Sequence, residues 1–310
     1  LLVLAKNSES KIFHLAPLFL ILVAWLDVLT HEPPQNPTVS PNVYALNLAR
    51  ADLKMNPPPE LGGARAMVSP AAAMQFIHFA LRDPKNNFLA KRLGFCADCN
   101  LLDGVPKVDG FFSLTPRESD NVLSLIYGAT NDFPQLENFL GVSEITAPDE
   151  IFKWRSRTNF LPLVTAGQKP IFLNNADTLR ALTQNDFAGS KMAFLPPEEN
   201  SLVTVSNQTA AKILNSKFEN QSVEIEVKAQ KPSLVVVAQT YYHDWRASVD
   251  GQPVPLLRAN GAFQAVQIPA GEHRVRLIYR DRAFEIGAAI SGATLLLVLA
   301  ALIFCRKKMR

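Results

Sequence analysis

Three aromatic side chains fall close together, Tyr241, Tyr242 and Trp245. Aromatic faces stack on flat apolar surfaces of a ligand, so the cluster is a candidate ligand contact. The rival is a set of core or strand-end aromatics. Trp245 alternates with Ala247 and Val249 on what should be a buried strand face, and that pattern favours the core. Arg280 and Arg282 stand just ahead of a long apolar run. Guanidinium forks suit phosphate oxygens on a lipid or carrier; arginines at a helix end also simply snorkel to water. Both readings stay open. Asp27 sits near the end of another apolar segment, with His31 and Glu32 behind it. A carboxylate at the centre of a lipid-facing helix costs about 2.5–3.5 kcal/mol. An interfacial Asp27 is the plainer reading, and one lining a cavity between helices the sharper.

Cys96-Ala-Asp-Cys99 allows three readings. A zinc ribbon needs a second ligand pair, and the third cysteine, Cys305, lies in an apolar run. A thioredoxin-type motif needs a strand before and a helix after, which Leu93-Gly-Phe95 and Asn100-Leu-Leu-Asp-Gly do not offer. A small structural disulfide between Cys96 and Cys99 fits best, with two free thiols next. His78 has no nearby His, Cys or carboxylate at ligand spacing, so it reads as a core or rim histidine and no metal site is expected. There is no Gly-rich phosphate loop, no Gly-x-Ser-x-Gly and no His-Glu-x-x-His, so no catalytic residue and no cofactor is assigned.

These residues must be held by elements, and composition bounds what those are. The 310 residues are 48% hydrophobic and only 19% charged, below the roughly 25% of ordinary domains. Membrane helices diluting a folded domain explain the shortfall. The net charge of +3, without a basic stripe interleaved with aromatics, excludes nucleic acid as a partner. Ile12–Thr30 is long enough to cross a bilayer of about 30 Å. Too long for a signal peptide, it lacks a cleavage site and follows an apolar stub, Leu1–Ala5. A second span covers 284–305, with small residues at Gly287/Ser291 and Ala288/Gly292 spacing that let helix backbones approach. Lys6 and Lys11 before the first helix and the basic tail 306–310 after the second place both ends in the cytoplasm and 31–283 outside.

Between the spans, 31–200 reads as mixed α/β. Helices are expected over Ala71–Arg82, with Met74, Ile77, His78 and Leu81 on one face, over Pro116–Tyr127, Asp132–Leu140 and Asp177–Leu182, the last capped by Asn175. Ala64–Val68, Leu161–Ala166 and Pro170–Leu173 read as strands. From 201 to 283 about eight strands are expected: 203–206, 211–218, 223–229, 234–239, 246–249, 254–258, 262–268 and 272–279. They suggest an antiparallel β-sandwich. Asp250-Gly251 marks a tight hairpin turn. The fold class is therefore membrane-anchored α+β, two transmembrane helices flanking an extracytoplasmic mixed α/β region and the sandwich.

The C-terminal stretch carries a resemblance. In order it shows Tyr241-Tyr242, Trp245-Arg-Ala-Ser-Val-Asp-Gly-Gln-Pro-Val-Pro255, Arg258-Ala-Asn260, Phe263-Gln-Ala-Val266, Pro269-Ala-Gly-Glu-His273, Arg276-Leu-Ile-Tyr-Arg280 and an apolar helix. Looser echoes are Asn36-Pro-Thr-Val-Ser-Pro41, Leu102-Asp-Gly104 and Asp109-Gly-Phe111. The chain resembles the C-terminal end of YfhO-type bacterial membrane proteins, polytopic proteins related to C-type integral-membrane glycosyltransferases. The resemblance implies sugar transfer from a polyprenyl-phosphate donor to a cell-envelope acceptor at the outer face of the bacterial inner membrane. It also implies a catalytic acid in an early outside loop, ahead of everything here. Other membrane helices would precede Leu1, with which the small-residue face would pack, and the outside domain would be an accessory, acceptor-binding or structural part. The alternative is a non-enzymatic, membrane-anchored carbohydrate-binding or adhesion protein. A transporter subunit lacks the intramembrane charges and broken helices it would need.

Overall fold

The computed structural model describes residues 16–31, 38–55, 57–111, 114–128, 132–147 and 150–308. The Leu1–Ala5 stub, Lys6, Lys11, His14, the start of the first expected span, Met309 and Arg310 lie outside the described residues. The first helix, α1 (Ala16–His31), has 16 residues and ends close to the expected boundary.

The next region is a series of short elements opened by prolines and caps. β1 (Arg65–Met67) leads into α2 (Pro70–His78), where Ser69 Oγ accepts from Ala72 N and Pro70 supplies the fixed φ of a first turn. α2 stops short of the expected Arg82. Phe79 turns extended, and the Leu81 N–H goes to Asn87 Oδ1 at 2.9 Å instead of a helical carbonyl. Asp83 then caps a helix the sequence reading missed, α3 (Pro84–Leu93). The expected apolar face of α2 is on the surface: Met74 and Ile77 are 59% and 69% exposed, and His78 lies among them; Ala72 and Phe76 are buried instead.

α4 (Arg117–Tyr127), α5 (Pro134–Phe139), β2 (Val142–Thr146), β3 (Trp154–Ser156), β4 (Val164–Ala166), β5 (Lys169–Phe172), α6 (Asn175–Leu182) and β6 (Met192–Leu195) follow. The cap of α6 is Asn174, one residue before the expected Asn175, its side chain accepting from Asp177 N at 2.9 Å. β5 and β6 are parallel across α6, and β1, β2 and β3 form a separate three-stranded sheet. A buried Arg92–Asp103 pair fastens the 43–53 segment. Arg92 Nε and Nη2 bond the two Asp103 oxygens at 2.7 and 2.8 Å, Arg92 Nη1 reaches Val43 O, and Asp103 Oδ1 accepts from Ala49 N.

Then come β7 (Ala211–Glu219), β8 (Ser222–Ala229), β9 (Ser233–Thr240), β10 (Trp245–Val249), β11 (Gln252–Val254), β12 (Leu257–Ala259), β13 (Phe263–Ile268), β14 (Gly271–Tyr279) and α7 (Arg282–Lys308). They make a five-stranded antiparallel sheet in the order β11-β10-β14-β8-β7 and a four-stranded one in the order β12-β13-β9-β4. Two expected strands differ. Residues 203–206 are not a strand: Thr204 N and Val205 N donate to the Gln267 side-chain oxygen at 2.7 and 3.2 Å, which replaces ladder bonds. The expected strand 254–258 is two strands in two different sheets. Pro255, without an N–H, sits where the chain crosses between them.

β9 sets the layers. Its run Leu234–Ala238 is buried on both faces, which explains a continuous apolar stretch instead of an alternating one. Val235 and Val237 share a core with Val223, Ile225, Val275 and Leu277 of the five-stranded sheet. Leu234, Val236 and Ala238 face the other way, into a core with Val122, Leu136, Phe139 and Leu182 of the helices. The four-stranded sheet is thus a middle layer, and it takes β4 from upstream of residue 201. Arg65 joins the regions further, donating to Leu140 O at 3.0 Å and Ala238 O at 2.6 Å. Burial lowers its pKa to about 10, so it stays charged at neutral pH.

Among the described residues one helix, Arg282–Phe304, is long and apolar enough to cross a membrane by length and composition.

Candidate functional site

The turn between β9 and β10 carries the aromatic cluster, and the ladder fixes where it points. Tyr241 N donates to Ala262 O at 2.7 Å, and Trp245 N closes the turn onto Tyr242 O at 3.1 Å. Trp245 then pairs with Tyr279 across β10 and β14, their rings edge to face at 5.7 Å. Arg280 N donates to Asp244 O at 3.1 Å. β14 ends at Tyr279 and α7 starts at Arg282, with Asp281 Oδ1 accepting from Phe284 N at 2.8 Å as its cap. The aromatic turn is therefore bonded directly to the chain that enters the long apolar helix.

The three aromatics separate by role. Trp245 is 8% exposed and belongs to the core between the sheets, as its alternation with Ala247 and Val249 suggests. Tyr242 is 39% exposed, lies 4.2 Å from the His243 ring and 6.4 Å from Tyr279. Tyr241 is half-buried. Three clefts meet around this turn. The first, about 570 Å³, runs along β10 and β11 and has Tyr241, His243, Trp245, Ile278 and Arg282 in its walls. The second, about 390 Å³, shares Tyr241 and His243 with the first and adds Tyr242, Glu118, Glu199 and Arg258. The third, about 520 Å³, shares Pro116 with the second and includes Thr240, Asp109, Ser119 and Tyr127. All fall near or within the 300–1,000 Å³ range of ligand sites.

The second cleft is where the electrostatics are unusual. Arg258 N donates to both Glu199 oxygens at 2.9 and 3.2 Å, while its guanidinium lies 3.6 Å from Glu118 and 3.9 Å from Glu198. Burial pushes the Glu199 carboxyl up to about 7. Glu118 is held below its ordinary range, first by its own backbone N–H and then by its arginine neighbours. Two carboxyls whose pKa values are pushed in opposite directions thus share one wall. No spacing rule joins residues 118, 199 and 258, which belong to separate elements, and the sequence reading found none of this.

The other expected residues are dispersed. Arg280 does not offer a free fork: Nε and Nη2 bond Glu285 Oε1 and Oε2 at 2.7 and 2.9 Å. Arg282 makes no ion pair among the described residues and lines the first cleft. Asp27 pairs with His31 one turn later, at 3.1 Å, and both are exposed. Cys96 and Cys99, the expected disulfide pair, are half-buried and carry no bond between them in this structure. The chain turns tightly between them, Cys99 N bonding Cys96 O at 3.2 Å with Ala97 left-handed at φ 52°. Burial, then neighbouring Cys96, raises the Cys99 thiol pKa, which disfavours a reactive thiolate. No group of three or more His, Cys, Asp or Glu side chains able to hold a metal occurs among the described residues.

Residues 175–291 match the family described as bacterial membrane protein YfhO. This stretch is a YfhO-type portion. It takes in β6 to β14, the aromatic turn, Arg258 and the first turns of α7, so two of the three clefts have most of their walls inside it. Glu118 and the third cleft lie mainly upstream of the YfhO match. No curated protein matches the chain.

Proposed function

We propose that the chain is the C-terminal part of a multi-pass, glycosyltransferase-like protein of the bacterial inner membrane, with 31–283 outside. In this reading α1 and α7 are both membrane helices, the two packed sheets form a β-sandwich, and the outside region is an accessory part. It contacts a polyprenyl-phosphate-linked sugar or its cell-envelope acceptor and performs no transfer itself. One observation carries this: the β9–β10 turn is bonded to Arg280, and the first cleft has Tyr241 at one wall and Arg282, at the start of the apolar helix, at another. A lipid-linked sugar phosphate presented at a membrane surface needs both an aromatic or polar face for sugar and a cation at headgroup depth.

The test is Arg282→Ala in the full-length protein, with Arg280→Ala as control. Arg282→Ala is expected to lower envelope glycosylation at least fivefold at normal protein abundance. Arg280→Ala, which loses only an exposed pair with Glu285, should leave it within twofold. Full glycosylation in the Arg282 variant contradicts the proposal. So does saccharide binding by a protein on which no glycosylation depends, the outcome that the adhesion alternative predicts.

A further inference from the structure

The third cleft holds polar atoms that the fold leaves unused. Asp109 Oδ1 and Ser119 Oγ are both shielded from water and lack a hydrogen-bond partner of good geometry among the described residues; the Tyr127 hydroxyl is close enough to interact with the Asp109 carboxylate, but its proton goes to Val68 O. Both residues line the same cleft of about 520 Å³. Leaving such atoms unpaired is costly, and unpaired polar groups that share one cleft point to a ligand. The neighbours narrow its chemistry. The other Asp109 oxygen is 3.5 Å from Lys107 Nζ, which already donates to Phe95 O and Ala97 O. Tyr127 gives its hydroxyl proton to Val68 O at 3.1 Å. Burial, then the Asp109 carboxylate, keeps that phenol neutral, with its pKa well above the ordinary value. Asp120 adds a second carboxylate, and no lysine or arginine is among the lining residues.

An anion is therefore disfavoured. A carboxylate oxygen can only accept, a serine hydroxyl can donate or accept, and so the complement is a set of neighbouring hydroxyl groups. We propose that the cleft between the Val108–Gly110 segment and α4 binds one neutral sugar ring, Asp109 Oδ1 accepting from one ring hydroxyl and Ser119 Oγ bonding the next. This rests on the reading of the outside region as a saccharide-handling part, and it names the subsite. Pro116 walls both this cleft and the one holding Tyr242, and Thr240 leads directly into Tyr241. A second unit of the same saccharide would lie toward the aromatic turn.

The experiment uses the whole chain in a detergent without a sugar headgroup. Saturation-transfer NMR and calorimetry are run with methyl glucoside, methyl galactoside and N-acetylglucosamine, and with inorganic phosphate for comparison. At least one pyranoside should bind at millimolar concentration and phosphate should not. Asp109→Asn, close to isosteric, should weaken binding tenfold or more, and Ser119→Ala several-fold, with melting unchanged. If Asp109→Asn does not fold, Ser119→Ala decides. Binding of none of the three, or binding indifferent to both changes, overturns the subsite. Binding lost only in Tyr242→Ala moves the ring to the neighbouring cleft, overturning this subsite while leaving the proposed function. Asp109-dependent binding alongside full glycosylation in Arg282→Ala does the reverse.

Discussion

Asp250 stands where a tight turn and an ion pair meet. Asp250 and Gly251 have φ of 51° and 81°, the two positive values of a type I′ turn joining β10 to β11. A Cβ on Gly251 meets nothing within 4 Å, so the cost of replacing it is conformational. Gly251→Val should lose about 1–3 kcal/mol in denaturant unfolding, through strain alone. A variant as stable as the parent contradicts the turn assignment. The Asp250 carboxylate also accepts from His273 Nδ1 at 2.7 Å and Arg274 N at 2.8 Å. The His273 bond lowers the Asp250 pKa from 3.8, and the same bond raises His273 from 6.5. For His273, raised when folded, the stabilisation is full below 6.5 and fades as pH rises through the higher folded value. For Asp250, lowered when folded, it is full above 3.8 and fades as pH falls through the lower folded value. The melting-temperature advantage of the parent over His273→Gln should thus peak between these two limits and shrink toward pH 9. An advantage that grows with pH contradicts the pairing. This turn was legible because few dipeptides tolerate two positive φ values. Asn260-Gly261 has the same signal, with φ of 48° and 82°, and could have been found equally; it caps β12 and docks Asn260 on Phe194. Glu118, Glu199 and Arg258 were not legible, because only folding brings them to one wall.

At the scale of elements β9 matters most. Burial on both faces puts Leu234 in one core and Val235 in the other, so either face is intolerant of change. Leu234→Ala should cost about 2–5 kcal/mol, measured by denaturant unfolding, and a loss below 1 kcal/mol contradicts the middle-layer position. The sequence showed this strand as an unbroken apolar run but could not say what covered each side. It showed the eight-strand rhythm too, and misplaced two members for local reasons. Pro255 splits one strand between sheets, and a glutamine side chain takes the N–H groups that would have made another. On α2 the periodic stripe was real but Ala72 and Phe76, not Met74 and Ile77, carry the packing. Periodicity reports a face, and a short helix on a crowded surface can bury a different one.

The whole molecule turns on how the sheets stand to the apolar helix. β14 runs from Gly271, near the Asp250 turn, to Tyr279, with two residues between it and α7. The aromatic turn is therefore at the helix end of the five-stranded sheet, and the Gln230–Lys231 connection between β8 and β9 is at the other. With 31–283 outside, as proposed, the Tyr241–Trp245 turn would face the membrane surface. A photo-crosslinking amino acid placed at Tyr242, and separately at Gln230, tests it in intact membranes containing the full-length protein. Lipid adducts are expected at position 242, accessible to an outside quencher, and none at position 230. Adducts at 230 and not at 242, or none at either, would contradict it.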